Sequence, residues 1–424
     1  MEKTFDLIVV GGGLSGTAAA VAAARGGAKV LIVEEGGSLG GAACNSLVTP
    51  FMPYKTPRKT TDEGSREWLI LNNGIFYEIL NRLTVSEDID DLTATFSEEH
   101  LKLVLDEMCD EAQVEVLYHA KLFSLERDGE RIKSIDLATK SGVLTLEAPY
   151  FIDATGDGDL AYFAGCPYTH GREDGLCQPM TLCFRLSNID TDEFYRHFAD
   201  VQRVYSEWQK AGKTQNPREN VLVFKTLNKN VIHFNTTRVV KLDPTDPFDV
   251  SRAEKMARRQ MKDIYDMLRE SFDFCRDAEL LMSAAKIGVR ESRMIIGRHV
   301  LTGEELMNCT RFEDAIAAGN YDLDIHNPEG SGTSHYYFKP GQYYTIPYRS
   351  LCPKNAENLL VVGRCISCTH EAQASIRVMP IITSIGEAGG CAVALSMSRG
   401  ESLHKVDTDA LRYTLKSRGA FVGE

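Results

Sequence analysis

A glycine triplet, Gly11-x-Gly13-x-x-Gly16, stands between the apolar run FDLIVV and the alanine-rich run TAAAVAAARGG, and it constrains the fold more than any other feature. Taken alone the spacing is weak, because 34 glycines give it many chances to arise. Its setting makes it strong. A strand buried on both faces leads into a tight turn, a helix ended by Gly26-Gly27, and a second strand, KVLIVEE, that reaches Glu34 about twenty residues on. Gly11 permits the turn, Gly13 lets the backbone approach a pyrophosphate, and Gly16 lets helix and strand pack closely. The first residues of the helix, Leu14 and Ser15, then offer N–H groups and a partial positive charge to phosphates. Glu34, with Glu35 beside it, is placed to accept both hydroxyls of an adenosine ribose, and its charge disfavours a 2′-phosphate. A βαβ unit without a ligand is the plainer alternative, and the agreement of strand, turn, helix and acid argues against it.

The chain has 424 residues, 43% apolar and 25% charged, enough for one large or two moderate domains and too apolar for a disordered or fibrous protein. Its formal charge of −13 argues against nucleic acid as a partner. The apolar runs are short and bounded by glycine, and no basic leader precedes the first strand, so no membrane span is expected and the expected compartment is the cytoplasm. Most of the eleven cysteines are scattered singly among apolar neighbours, as small buried hydrophobes in a reducing compartment would be.

Beyond Gly40-Gly41, residues 44–74 are rich in Pro, Lys, Thr and Asn without periodicity and are expected to form a long loop or lid. EEHLKLVLDEMCDEA reads as an amphipathic helix with acids in its first turn. From residue 114 the period becomes two, through VEVLYHA, KLFSLER, RIKSIDLAT and VLTLEA, an antiparallel meander returning to the buried strand YFIDATG. Residues 166–349 mix the strand-like runs MTLCFRL, VLVFKTL and VIHFNTT with polar helices around 191–213 and 249–283. A last apolar strand, LLVVG, precedes a helix of small residues, PIITSIGEAGGCAVALSMSRG. The expected fold class is therefore α/β: a Rossmann-like domain with a β-meander, made of residues 1–165 and 350–424, carrying an inserted mixed α+β substrate or cap domain of residues 166–349.

This order of loop, helix, meander and DATGDGDLA, with the final strand supplied from the C-terminal segment, resembles the FAD-binding domain of the glutathione reductase and succinate dehydrogenase class. GGAACNSLVTPFMPY, FIDATGDGDLAYFAGCPY, GVRESRMIIGRHVLTGEEL, DLDIHNPEG and LLVVGRCISCTHEAQASIRVMP further resemble the FAD-dependent oxidoreductase family, which includes many uncharacterised bacterial proteins. The resemblance implies FAD as cofactor and Ala154-Thr155-Gly156 beside its pyrophosphate. It also implies a backbone contact to adenine near Lys121 and Leu122, and further contacts at Gly41 and Ala42. Arg377 and Val378 would begin a helix whose N-terminus faces the flavin N1/C2 carbonyl. Gly156-x-Gly158-x-x-Ala161 mimics a second nucleotide fingerprint, but no buried strand ending in an acid follows, so an NAD(P)H domain is not expected.

LLVVG delivers Gly363 and Arg364 to the carboxyl edge of the sheet, where ligands bind in such folds, with Cys365, Thr369, His370 and Glu371 close behind. His370, its ordinary pKa near 6.5 and Glu371 adjacent, is the first candidate for a catalytic acid or base; a histidine hydrogen-bonded into the cofactor frame is the competing reading. His326 in DIHNPEG is a second candidate. Arg290, with Glu291 and Arg293, reads equally as an anion clamp for a carboxylate or phosphate and as a salt-bridged cluster. Cys365-x-x-Cys368 has redox spacing, but disulfide flavoenzymes usually carry their pair near the early helix, where this chain has only Cys44, so packing is the favoured role. One such pair does not make a zinc site, and no metal is expected. The expected activity is hydride transfer between flavin and a small organic substrate, with an electron donor or acceptor that no motif names. The alternatives are a flavin-linked thiol-disulfide oxidoreductase using Cys365 and Cys368, and a non-enzymatic FAD-fold binding protein, against which the intact Gly11, Gly13, Gly16 and Glu34 set argues.

Overall fold

The computed structural model describes residues 4–60, 66–85, 89–90 and 94–424. Its centre is a five-stranded parallel sheet in the order Leu359–Val361, Tyr150–Asp153, Leu7–Val10, Val30–Val33, Glu115–Leu117. Alternation along these strands builds two cores. Leu7, Val9, Val30, Ile32, Ile152 and Leu360 face the helices, whereas Ile8, Val10, Leu31, Val33, Phe151, Leu359 and Val361 face the meander. A strand apolar at every position is the sequence consequence of a sheet covered on both sides.

The meander is three antiparallel strands, Lys121–Asp128, Arg131–Thr139 and Gly142–Glu147. VEVLYHA is not part of it: Glu115–Leu117 pairs in parallel with Val30–Val33 as the sheet's edge strand, and being half-buried there it carries the same alternation as a meander strand. The stretch 44–74 is also more structured than its polarity suggests. It contains the hairpin Lys55–Thr60 and Arg66–Ile70, while residues 61–65 lie outside the described chain. In the middle segment, Val223–Lys225, Ile232–Phe234, Phe184–Ser187 and Glu279–Ser283 form an antiparallel sheet with its own core, covered by Phe198–Lys210 and Pro247–Ser271. The long helix expected over 249–283 thus ends at Ser271, and 279–283 joins the sheet. The buried pair Arg185–Glu98, bidentate at 2.5 and 2.7 Å, ties this sheet to the first turn of the helix Glu98–Glu111.

Helix Leu14–Arg25 and helix Met379–Arg399 lie against each other at backbone distance. A Cβ at Gly386 would meet the Ser15 carbonyl oxygen at 2.0 Å, and one at Gly390 would meet that of Ala19 at 2.0 Å. Met379–Arg399 is the one helix among the described residues long and apolar enough to cross a membrane, and most of it is buried within the protein. Its small residues therefore serve helix packing. Gly390→Ala is expected to lower stability by about 3 kcal/mol or more, because rigid backbone and not a mobile side chain blocks the new methyl. Gly330→Ala, whose Cβ would have nothing within 4 Å, should stay within about 0.5 kcal/mol of the parent in the same denaturant titration.

Candidate functional site

At the carboxyl edge of the parallel sheet the first turn is held from three sides. Gly11 has φ +101°, and a Cβ there would strike the Ala154 carbonyl oxygen at 2.5 Å, so only glycine fits between the two strand ends. Gly16 touches the Gly11 carbonyl in the same way, at 1.9 Å for an added Cβ. The Glu34 carboxylate, buried, accepts from the Gly12 amide at 2.7 Å and the Gly36 amide at 2.7 Å. It therefore braces the glycine loop as well as facing the cavity beyond it. Gly13 caps the helix Leu14–Arg25 without a side-chain hydrogen bond, leaving the N-terminal amides to whatever enters.

Asp153 supports the neighbouring strand end. Its carboxylate accepts from the Thr155 amide at 3.0 Å, the Thr155 hydroxyl at 2.8 Å and the Ala161 amide at 2.8 Å. Burial pushes this carboxyl up to about 6, with the three donors opposing the rise. Arg364 reaches back to Asp157 at 2.6 Å, where Ser292 also donates at 2.5 Å.

A cavity of about 700 Å³ runs from this turn into the middle segment. Of the expected contacts it brings together Gly11, Gly13, Leu14, Ser15, Glu34, Glu35, Gly41 and Ala42 with Leu122, Ala154, Thr155, Gly156, Arg364, Arg377 and Val378. Gly16 and Gly363 do not line it: the first is consumed by helix–turn packing, and the second, at φ +91°, sits against the Ser15 hydroxyl. Val378 is the N-cap of Met379–Arg399, again with no side-chain hydrogen bond, so a second uncapped helix N-terminus opens onto the same cavity.

At the inner end lie Arg290 and His326, as expected, together with Asp324, which DLDIHNPEG contains but does not single out, and with Arg218, Tyr321 and Thr333, which no motif announced. Asp324 Oδ2 stands 3.2 Å from His326 Nε2, 3.1 Å from the Tyr321 hydroxyl and 3.4 Å from Arg377 Nη2. Burial opposes its charge, but the His326 hydrogen bond and the Arg377 and Arg290 guanidiniums outweigh that and hold the carboxyl well below its usual range. Arg238 donates to His326 Nδ1 at 3.0 Å, which assigns the proton to Nε2. Burial and the nearby Arg290 then pull His326 down to about 3, against the attraction of Asp324. His326 is thus a neutral donor to Asp324 with both ring nitrogens committed.

His370 is not in this cavity. Its partner is Glu291, 79 residues away in sequence, at 2.7 Å from Nδ1, and both groups are buried. Burial disfavours the charged imidazole, yet Glu291 prevails and raises its pKa. Glu291 also accepts from the Gln178 amide at 2.8 Å; the Gln178 side chain donates to Gln373 at 2.9 Å, and Gln373 donates to the Arg290 carbonyl at 2.6 Å. The pair belongs to a buried hydrogen-bond network behind Arg290. Arg290, Glu291 and Arg293 accordingly part company: the first enters the cavity, the second meets His370, and the third pairs with Asp159 at 2.8 Å and stacks over Tyr162. Cys365 and Cys368 are not bonded to each other. They are free, buried thiols in different apolar clusters, burial pushes both well above the ordinary thiol range, and neither lines the cavity. No metal-ligating cluster occurs among the described residues.

The family model described as FAD dependent oxidoreductase matches residues 6–415 of this chain. No curated protein matches it. Among solved structures, the chain is similar to a geranylgeranyl bacteriochlorophyll reductase-like protein from Thermoplasma acidophilum, at 11% identity and a TM-score of 0.47, covering 98% of this chain and 84% of that one. It is similar also to the p-nitrophenol 4-monooxygenase PnpA from Pseudomonas putida DLL-E4, at 12% identity and 0.44, covering 99% and 82%. A third likeness is the flavin-dependent brominase Bmp2, at 11% and 0.43, covering 98% and 83%.

Two outcomes follow from the hydrogen bonds above. Glu34→Gln replaces an acceptor with an amide donor opposite a backbone N–H, and is expected to cost about 1–3 kcal/mol in the ligand-free protein by denaturant titration. For His370, an imidazole whose pKa is raised on folding contributes its full stability below its unfolded value, near 6.5, and loses it as pH rises through the folded value. Melting temperature should therefore fall more from pH 6 to pH 9 in the parent than in His370→Gln. Parallel pH profiles would contradict the Glu291 pairing.

Proposed function

The chain belongs to the FAD dependent oxidoreductase family, and from that premise we propose that it transfers a hydride between bound FAD and a small organic molecule held at the inner end of the cavity. The observation that carries this reading is that two uncapped helix N-termini, at Gly13 and Val378, open onto one cavity whose outer end holds the acid of the dinucleotide fingerprint.

The residues present fit the cofactor. A Cβ at Gly13 would have nothing nearer than the Gly41 Cα at 3.9 Å, so the loop leaves open a cradle beside free helix amides, as a pyrophosphate requires. Glu34 would take the ribose, Lys121 and Leu122 the adenine side, and Ala154, Thr155 and Gly156 the phosphate-facing strand end. When bound, FAD supplies reversible acceptance and donation of hydride. The helix Met379–Arg399 would present its positive end to the negative charge that the reduced ring carries. Asp324, kept ionised by its neighbours, would orient Tyr321, Arg377 and His326 around the reactant, which makes His326 a positioning residue and not a proton carrier. The segment 166–349, through Arg218 and Arg290, would set which molecule fits. A second reactant restores the cofactor, and the arrangement of Cys365 and Cys368 disfavours a thiol relay for that step.

Gly13→Ala tests the reading. The added methyl meets nothing in the ligand-free protein, at φ −64° and ψ 174°, so its melting temperature should match the parent. FAD affinity, from titration of the apo-protein, should fall about tenfold or more, because the methyl occupies phosphate space and the charge-assisted hydrogen bonds weaken. A parent that neither carries nor takes up FAD would overturn the proposal.

A further inference from the structure

We propose that the inner end of the cavity is a binding site for a small organic acid, whose carboxylate is received by the guanidinium groups of Arg218, Arg290 and Arg377. This deepens the proposed flavin-dependent reaction by naming its substrate class, and it rests on that reading for the role of the acid as reactant.

The first support is the inversion of charge. The chain carries −13 overall, yet Arg218, Arg290 and Arg377 line this end with the ionised Asp324, and of the three only Arg377 pairs with it, at 3.4 Å. The other acid at this end, Glu219, is taken by Arg238 at 3.3 Å and by the Gly332 amide at 3.2 Å. Cations in such surplus, out of bulk water, repel one another. Burial, followed by Arg377 and Arg218, pulls Arg290 down to about 9, still a cation at neutral pH.

The second support is the donors that remain. Arg290 spends Nη1 on the Pro179 carbonyl at 2.7 Å and the Thr181 hydroxyl at 2.6 Å, and among the described residues its Nε and Nη2 have no acceptor. Arg218 spends only Nε, on Asn220 at 3.2 Å, although it is 6% exposed. Arg377 makes one long contact, 3.4 Å to Asp324, and its buried Nε has no partner. Arg238 provides the contrast. Its guanidinium is met by Glu219, His326, Thr333 and the carbonyls of Gly330 and Gly332. An arginine that only supports structure at this end is saturated, and the three facing the cavity are not.

The third support is geometry. Arg218 precedes the strand Val223–Lys225, Arg290 follows the strand Glu279–Ser283, and Arg377 lies between the helices His370–Ile376 and Met379–Arg399. Planar forks arriving from three separate connections suit a planar carboxylate, which accepts two parallel N–H groups from one fork and single N–H groups from the others. Phe224, Leu222, Met379 and Ile382 line the same cavity and leave apolar room for a carbon skeleton.

The test uses the FAD-saturated protein and calorimetric titration with acetate, malonate, succinate and benzoate, with the matching amides and inorganic phosphate as comparisons. At least one carboxylate should bind saturably, more weakly as salt rises, and at least tenfold more tightly than its amide and than phosphate. Arg218→Gln and Arg290→Gln should each raise its Kd about tenfold or more, while FAD content stays at the parent value; Arg290→Gln also frees the Pro179 carbonyl and the Thr181 hydroxyl and should melt lower, whereas Arg218→Gln should melt with the parent. Failure of every carboxylate to bind, phosphate binding as tightly, or equal affinity in the variants would overturn the proposal. So would loss of FAD in the variants, which would give the arginines to the cofactor. A protein that takes no FAD but binds the acid through these arginines would overturn the flavin reading and keep this site.

Discussion

The backbone contact between helix Leu14–Arg25 and helix Met379–Arg399 is the constraint on which the rest depends. Glycines at 386 and 390 let one helix lie directly on the carbonyls of the other, and Gly16 lets the first helix lie on its own turn. Chain segments more than 360 residues apart are thereby locked into one layer beneath the parallel sheet. Both N-termini then open onto one cavity, so two partial positive charges that local sequence could create only separately face the same space.

Hydrogen bonds around the turn convert that packing into a site. Glu34 holds the amides of Gly12 and Gly36, and Asp153 holds those of Thr155 and Ala161. Two strand ends are thus fixed by carboxylates that satisfy backbone donors the sheet leaves behind. Further in, the logic reverses: cations outnumber anions, and the surplus is sustained by a shell that includes Asp324, Glu219 and the Gln178–Gln373 bridge. The cavity thus has acids at its glycine-loop end and arginines at the other.

The strand, turn, helix and strand from Leu7 to Val33 were legible because they are local, each set by residues adjacent in sequence. The strand Leu359–Val361 and the three strands from Lys121 to Glu147 were legible for the same reason, whereas the alternation of VEVLYHA wrongly joins it to them. What escaped notice was pairing at distance. His370 carries no mark of Glu291, and Glu371 beside it invites the wrong partner, since neighbours on a helix do not face each other. Arg218 lies in the polar stretch GKTQNPREN, where nothing distinguishes a cavity-facing arginine from a solvated one. The hairpin Lys55–Thr60 and Arg66–Ile70 was hidden by charged, proline-containing strands that lack clean alternation. Arg290 could be singled out but not decided, because its two readings differ only in which way consecutive side chains point.

A crystal structure of the protein grown with FAD tests the central claim most directly. The account predicts the pyrophosphate against the amides of Leu14 and Ser15, the ribose hydroxyls on Glu34, and the ring system between Val378 and the cluster of Arg218, Arg290 and Arg377. A dinucleotide bound elsewhere, or a ring system turned away from those arginines, would contradict it.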